Sequence, residues 1–153
     1  MFKCAIICAS VHHQNTLRIA KALSEELGAE IFSPSDFEPD KIREYDLVGF
    51  GSGIYNGSHH QSLLKLAEEL QPKKGKKVFV FSSSTIIYKP MHEKLKTILR
   101  EKEYDICGEF FCKGYMSYSF IKIFGGLNRG RPNAEDLGRA REFAKKITIE
   151  YGD

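Results

Sequence analysis

Apolar runs of strand length alternate with helical apolar stripes along the chain, and this alternation constrains the fold more than any motif does. The runs fall at 3–9, 29–33, 46–52, 77–83 and 104–111. Between them, side chains recur at helical spacing: Thr16, Ile19, Ala20, Leu23 and Leu27; then Leu63, Leu66, Ala67 and Leu70; then Met91, Leu95, Ile98 and Leu99; and last Leu137, Ala140, Ala144, Ile147 and Tyr151. The runs are nearly continuous in apolar character, as strands covered on both faces are. The pattern predicts a three-layer, doubly wound α/β fold with a five-stranded parallel sheet in the order 2-1-3-4-5. The stretch 34–45 is short and polar, with room for a turn or two of helix. Pro132 followed by Asn133 as N-cap, with Glu135 and Asp136 in the first turn, starts the last helix. No repeat or linker interrupts the pattern, so residues 1–153 are expected to form a single domain.

Composition narrows the function classes. At 153 residues and 42% hydrophobic side chains, the chain can bury one core without covalent staples. The formal charge of +3 is too small and too dispersed to argue for nucleic acid. The densest basic cluster, Lys73-Lys74-Gly75-Lys76-Lys77, lies between a helix pattern and a strand pattern and reads as a solvated turn. Of four cysteines, Cys4, Cys8 and Cys107 sit inside apolar runs as small hydrophobes, and none forms a CxxC with Cys112 or another. The apolar start at 4–9 is too short for a secretory core or a membrane span. A reducing compartment, most simply the cytoplasm, is expected.

Doubly wound sheets bind ligands beyond the carboxyl ends of the strands, where the strand order reverses. That directs attention to four loops. The first, Ser10-Val11-His12-His13-Gln14-Asn15-Thr16, runs straight into a helix, whose N-terminal amides and dipole suit a phosphate. Ser10, Gln14, Asn15 and Thr16 add hydroxyl and amide donors, and His12 and His13 add imidazole. Ser10 or Asn15 as a plain helix cap explains the same residues. GxGxxG and GxxxxGK[ST] are both missing, which removes support for dinucleotide and nucleoside-triphosphate binding. The second loop begins Gly53-Ile54-Tyr55-Asn56-Gly57. Its glycines permit close backbone approach to a flat ring, Tyr55 offers an aromatic face, and Asn56-Gly57 favours a tight turn with positive φ. A hairpin-like turn bearing a surface tyrosine fits as well. The third loop opens on the hydroxyl cluster Ser82-Ser83-Ser84-Thr85, either ligand donors or a polar loop, followed by Ile86-Ile87-Tyr88-Lys89-Pro90. The fourth, 112–133, is long and rich in aromatic and basic groups: Tyr115, Tyr118, Phe120, Lys122, Phe124, Arg129 and Arg131. Residues 115–124 suit a ring cover, a partner contact, a peripheral membrane contact or a satellite core.

Asn15-Thr16 at the start of the first helix resembles the phosphate loop of the flavodoxin superfamily, and the chain is similar to that superfamily over nearly its whole length. The usual Ser/Thr and Gly positions of that loop are held by Val11, His12, His13 and Gln14. The resemblance implies noncovalent FMN and electron transfer, with Tyr55 against the isoalloxazine and the Asn56–Gly57 peptide near flavin N5. More narrowly, Ile54, Gly57, His60 and Lys89-Pro90 are similar to the branch that includes the menaquinone-linked protoporphyrinogen dehydrogenases. Flavodoxin carriers are typically acidic and this chain is basic, so their usual partners do not transfer to it.

Two redox expectations follow, an FMN electron carrier serving a redox partner protein or small acceptor, and an FMN oxidoreductase with a quinone or porphyrinogen substrate. The second calls for an acid or base, for which His59, His60 and Lys89 are the available groups. A metal module built on His12-His13 and His59-His60 is a minor third reading, since adjacent histidines seldom ligate one ion and no carboxylate or thiol completes the set. His92, a lone histidine on its helix, is expected at the surface.

Overall fold

The computed structural model describes residues 2–10, 15–114 and 130–152. In chain order these form β1 (Cys4–Ala9), α1 (Asn15–Leu27), β2 (Glu30–Phe32), β3 (Leu47–Tyr55), β4 (Ser58–His59), α2 (Gln61–Glu69), β5 (Lys77–Ser84), α3 (Glu93–Glu101), β6 (Asp105–Lys113) and α4 (Ala134–Tyr151). Five parallel strands follow the order β2-β1-β3-β5-β6, and the two-residue β4 pairs antiparallel with the end of β3. Apart from that added β4, this is the expected 2-1-3-4-5 sheet. The 34–45 stretch supplies two 3₁₀ segments, Pro34–Asp36 and Pro39–Glu44, each opened by a proline at its first position. They carry Phe37, Ile42 and Tyr45 into the core.

Strand periodicity divides the core into two layers. Ala5, Ile7, Val48, Phe50, Val78 and Val80 face α2 and α3, where they meet Leu63, Leu66, Leu95 and Leu99. Cys4, Ile6, Cys8, Phe79 and Phe81 face α1 and α4, against Ile19, Leu23, Ala140, Ala144 and Ile147. Burial raises the thiol pKa of Cys4 and Cys8 to about 12, which leaves both as inert packing groups. No helix among the described residues is long and apolar enough to cross a membrane. Asn133 caps α4 as expected: its side chain accepts from the Asp136 amide at 2.9 Å, and Asp136 accepts from the Asn133 amide at 2.8 Å. Asp136 is itself buried and held by Arg131 and Arg139, which fastens the chain entering α4 to the helix.

The register places Gly49 beside Phe79 and Gly51 beside Phe81. A Cβ on either glycine would come within 2.2 Å of the neighbouring ring, and both rings are fully buried. The two glycines therefore make room in the middle strand for the two phenylalanines that cover it. Gly49→Ala is expected to cost about 2–3 kcal/mol as overpacking. Urea unfolding checks this, and a loss below about 0.5 kcal/mol would show that the ring has somewhere else to go.

Candidate functional site

The carboxyl ends of β1, β3, β5 and β6 are brought level by the register, which pairs Ala9 with Ser52, Gly53 with Ser83, and Ser84 with Lys113. At β1, the Ser10 hydroxyl accepts from the Leu17 amide at 3.3 Å and so supports the first turn of α1. Asn15 and Thr16 are buried; the Thr16 and Ser83 hydroxyls bond at 2.6 Å and tie α1 to β5. A Cβ on Gly114 would lie 2.8 Å from the side-chain amide nitrogen of Asn15, so the exit from β6 packs closely against the start of α1. His12, His13 and Gln14 lie outside the described residues, as does 115–129, which holds most of the aromatic-basic segment.

Sequence reasoning ended the third strand at Ser52; it runs on to Tyr55 and turns back. Asn56 (φ 52°) and Gly57 (φ 79°) are both left-handed, the backbone of a two-residue hairpin, and Tyr55 pairs with Ser58 across it. Tyr55 is half-buried, packs edge-on to His60 with centroids 5.1 Å apart, and lies over Gly53, where a Cβ would sit 3.1 Å from the phenol oxygen. Burial, with a smaller contribution from Cys8, raises its pKa, so the phenol keeps its proton. Ile54 pairs with His59. Buried Ser52 accepts from the His60 amide at 2.9 Å and donates to the Gly53 carbonyl at 2.6 Å, which anchors the hairpin's far end to its origin. His60 Nδ1 accepts from the Ser62 amide at 3.1 Å, with the Ser62 hydroxyl 2.8 Å away, and caps α2.

The hydroxyl cluster is divided among structural partners by strand alternation. Ser83 faces Thr16. Ser82, fully buried on the opposite face, donates to His92 Nε2 at 2.7 Å. Ser84 donates to the Ile86 carbonyl at 2.8 Å, its own carbonyl accepts from the Gly114 amide at 2.9 Å, and Thr85 is half-buried. Beyond it Ile86, Ile87 and Tyr88 stand 73%, 41% and 60% exposed.

His92 corrects the surface expectation. The 3₁₀ segment Lys89–His92 precedes α3, and the imidazole at its end is fully buried. Its ring stacks on Phe111 at 3.9 Å and lies 4.9 Å from the ring of His59. His92 Nδ1 donates to Glu109 at 3.1 Å, and Lys96 meets the same carboxylate oxygen at 3.1 Å. His59 is 2% exposed and donates through Nε2 to the Phe81 carbonyl at 3.0 Å. Among the described residues its Nδ1 is the buried side-chain nitrogen or oxygen left without a hydrogen bond. Burial pushes the pKa of His59 down to about 3, with His92 adding to the effect. Burial, then Lys96, pushes His92 down to about 3, opposed by Glu93. Both imidazoles are neutral at physiological pH. Among the described residues no three histidine, cysteine or carboxylate side chains gather to hold a metal ion.

A doubly wound sheet of this order, with a capped helix after β1 and an aromatic hairpin after β3, defines the flavodoxin-like class of α/β proteins. A profile of the flavodoxin domain matches residues 5–121. An uncharacterised protein of Methanocaldococcus jannaschii is 45% identical over 147 residues, covering 95% of this chain and 97% of that one. The chain belongs to the flavodoxin domain family. Among solved structures it is similar to oxidised flavodoxin 2 from Bacillus cereus (TM-score 0.75, 19% identity, 97% and 99% of the two chains covered). It is also similar to a flavodoxin from the domain Archaea (TM-score 0.68, 15% identity, 99% and 100% covered). At these identities the likeness is one of fold.

The histidine pair generates a pH prediction. Histidine in the unfolded chain titrates near 6.5, and in the folded protein only near 3, so between those values the unfolded state binds more protons. The stability contributed by keeping each imidazole neutral is complete above pH 6.5 and is lost as pH falls toward 3. At pH 5 the loss is about 2 kcal/mol per histidine. Urea midpoints of the wild type and of His59→Gln should therefore converge as the pH is lowered from 7.5 to 5. Parallel pH profiles would contradict the burial of a neutral His59.

Proposed function

We propose that the chain binds FMN noncovalently at the carboxyl end of the sheet and transfers electrons through it. The observation that carries this reading is a donor-rich helix start and a glycine-backed aromatic hairpin at the same end of the sheet, on segments that carry no carboxylate of their own. Among residues 10, 15–16, 53–60, 82–92, 112–114 and 130–133 there is no Asp or Glu to repel a phosphate. The α1 amides, with Asn15 and Thr16, are the groups that would hold the phosphate; Ser10, accepting from Leu17, still has a hydroxyl hydrogen to donate. Gly53 and Gly114 mark positions where the backbone comes close to Tyr55 and Asn15, so the walls of the crevice are already shaped by missing side chains. His12, His13 and Gln14 belong to the same phosphate loop by sequence, and Ser83, Ser84 and Thr85 border the ring and its chain. When bound, the flavin supplies the redox chemistry, while the protein sets its position and electrostatics.

Electron transfer without acid–base catalysis is favoured by how two of the three available groups are used. His59, the candidate acid or base in the hairpin, is buried and neutral, and Nδ1 of His60 is engaged in capping α2. The exposed Ile86, Ile87 and Tyr88, followed by Lys89, give the loop after β5 an apolar tip with a basic flank that suits a docking electron donor or acceptor.

FMN titration of the purified protein, followed by quenching of flavin fluorescence, is expected to saturate, with riboflavin bound at least about tenfold more weakly for want of the phosphate. Absence of saturable FMN uptake would overturn the reading. Gly57→Ala should then shift at least one of the two one-electron potentials. A Cβ there meets nothing within 4 Å, so its effect acts through the left-handed backbone (φ 79°). Two unchanged potentials would remove the turn from any role at the flavin.

A further inference from the structure

One group of polar side chains, with two of its members fully buried, is used by neither the packing nor the proposed electron transfer. Ser82, His92 and Glu109 stand in the order hydroxyl, imidazole, carboxylate, at 2.7 and 3.1 Å, which is the order of a nucleophile, its base and the orienting acid. Ser82 is fully buried inside a central strand, however, so no carbonyl can reach it. The arrangement must serve something other than acyl transfer. Its connections show what. His59 belongs to the hairpin after β3 and holds the Phe81 carbonyl; His92 closes the loop after β5 and holds Ser82. The two bonds end on adjacent residues of β5, and the imidazoles that make them lie 4.9 Å apart, with Phe111 backing His92 on β6.

An apolar pair would fill this space without the cost of desolvating imidazole. What the imidazoles add is direction, since each ties one flank of the crevice to one point of the strand between them. We propose that His59 and His92 are paired positioning residues that latch the hairpin 55–60 and the loop 84–92 to the end of β5, so that both flanks of the crevice open and close as a unit. The consequence for FMN rests on the proposed function; the latch itself does not. Glu109 and Lys96 hold His92 from outside, with Glu93 nearby, whereas among the described residues His59 makes its one hydrogen bond to Phe81 and lies against the ring of His92, with Glu109 acting on it through space. His59 is therefore the weaker member, and its unpartnered Nδ1 marks the place where the latch gives way first.

Native-state hydrogen exchange of the ligand-free wild type, in increasing sub-denaturing urea, is the primary test. Amides of 55–60 and 85–92 should share one opening free energy and one urea dependence, distinct from those of β1 and β3. Separate openings for the two segments would overturn the latch. In His59→Leu, exchange should quicken about tenfold or more in both segments, including 85–92, which carries no change, while β1 and β3 stay protected. His59→Gln, which keeps an amide donor toward the Phe81 carbonyl, should recover most of that protection. Acceleration confined to the hairpin, or spread evenly through the sheet as in general destabilisation, would count against the proposal; should the leucine variant fail to fold, the wild-type urea series and the glutamine variant decide. With FMN present, His59→Leu should weaken uptake at least tenfold. Unchanged affinity beside coupled opening would strike out the positioning role. If the wild type itself takes up no FMN, the proposed function fails, and the exchange data alone judge the latch.

Discussion

Everything at the carboxyl end of this sheet depends on satisfying polar groups where the apolar sandwich stops. Through most of their length the central strands are closed on both sides, by leucines of α2 and α3 on one face and by aliphatic side chains of α1 and α4 on the other. Toward their carboxyl ends the strands turn polar: Ser52 in β3, Ser82 and Ser83 in β5. A buried hydroxyl without a partner costs on the order of 1–3 kcal/mol, so each has to find one. Ser52 finds the His60 amide, Ser82 finds His92, and Ser83 finds Thr16. The loops of the crevice are thus held by bonds that the strands' own burial makes obligatory.

This dependence explains which parts of the molecule were legible in the sequence. The two apolar layers are written in periodicity, and the stripes from Ile19 to Leu27 and from Leu63 to Leu70 are buried as their spacing requires. Local chemistry was legible too: Asn56-Gly57 forms the left-handed turn it favours, and Asn133 caps its helix. The histidine pair was not. His59 and His92 are 33 positions apart in the chain and meet only because β4 folds back along β3 and a 3₁₀ turn precedes α3. The inward direction of His92 alone had a signal, for it stands three and seven residues before Leu95 and Leu99, spacings that share one helix face.

The hydroxyl cluster carries a related lesson. Ser82, Ser83 and Ser84 look like one patch in a line of text, but period-two alternation sends Ser83 to the opposite face from Ser82. A run of donors at the end of a strand is therefore evidence of polar closure on both faces before it is evidence of ligand contact. The same holds for Ser10, whose oxygen supports α1. These engagements are compatible with a ligand, because a hydroxyl that accepts one bond can still donate another. They mean that the first task of the crevice residues is to hold the crevice.

Charge distribution and the loop engagements also bear on what such a crevice is built to do. A catalyst that moves protons needs a group whose pKa lies near the working pH and which reaches the substrate. Here His59 and His92, two imidazoles at the sheet end, are withdrawn from that role by burial. Tyr55, half-buried in the hairpin, has its phenol pKa raised further by burial. Among the described residues, the α1 amides, the strand-end hydroxyls and Tyr55 are uncharged groups at physiological pH. Such groups can fix a bound molecule's place and its electrostatic surroundings, which is the part the protein would play in the proposed electron transfer.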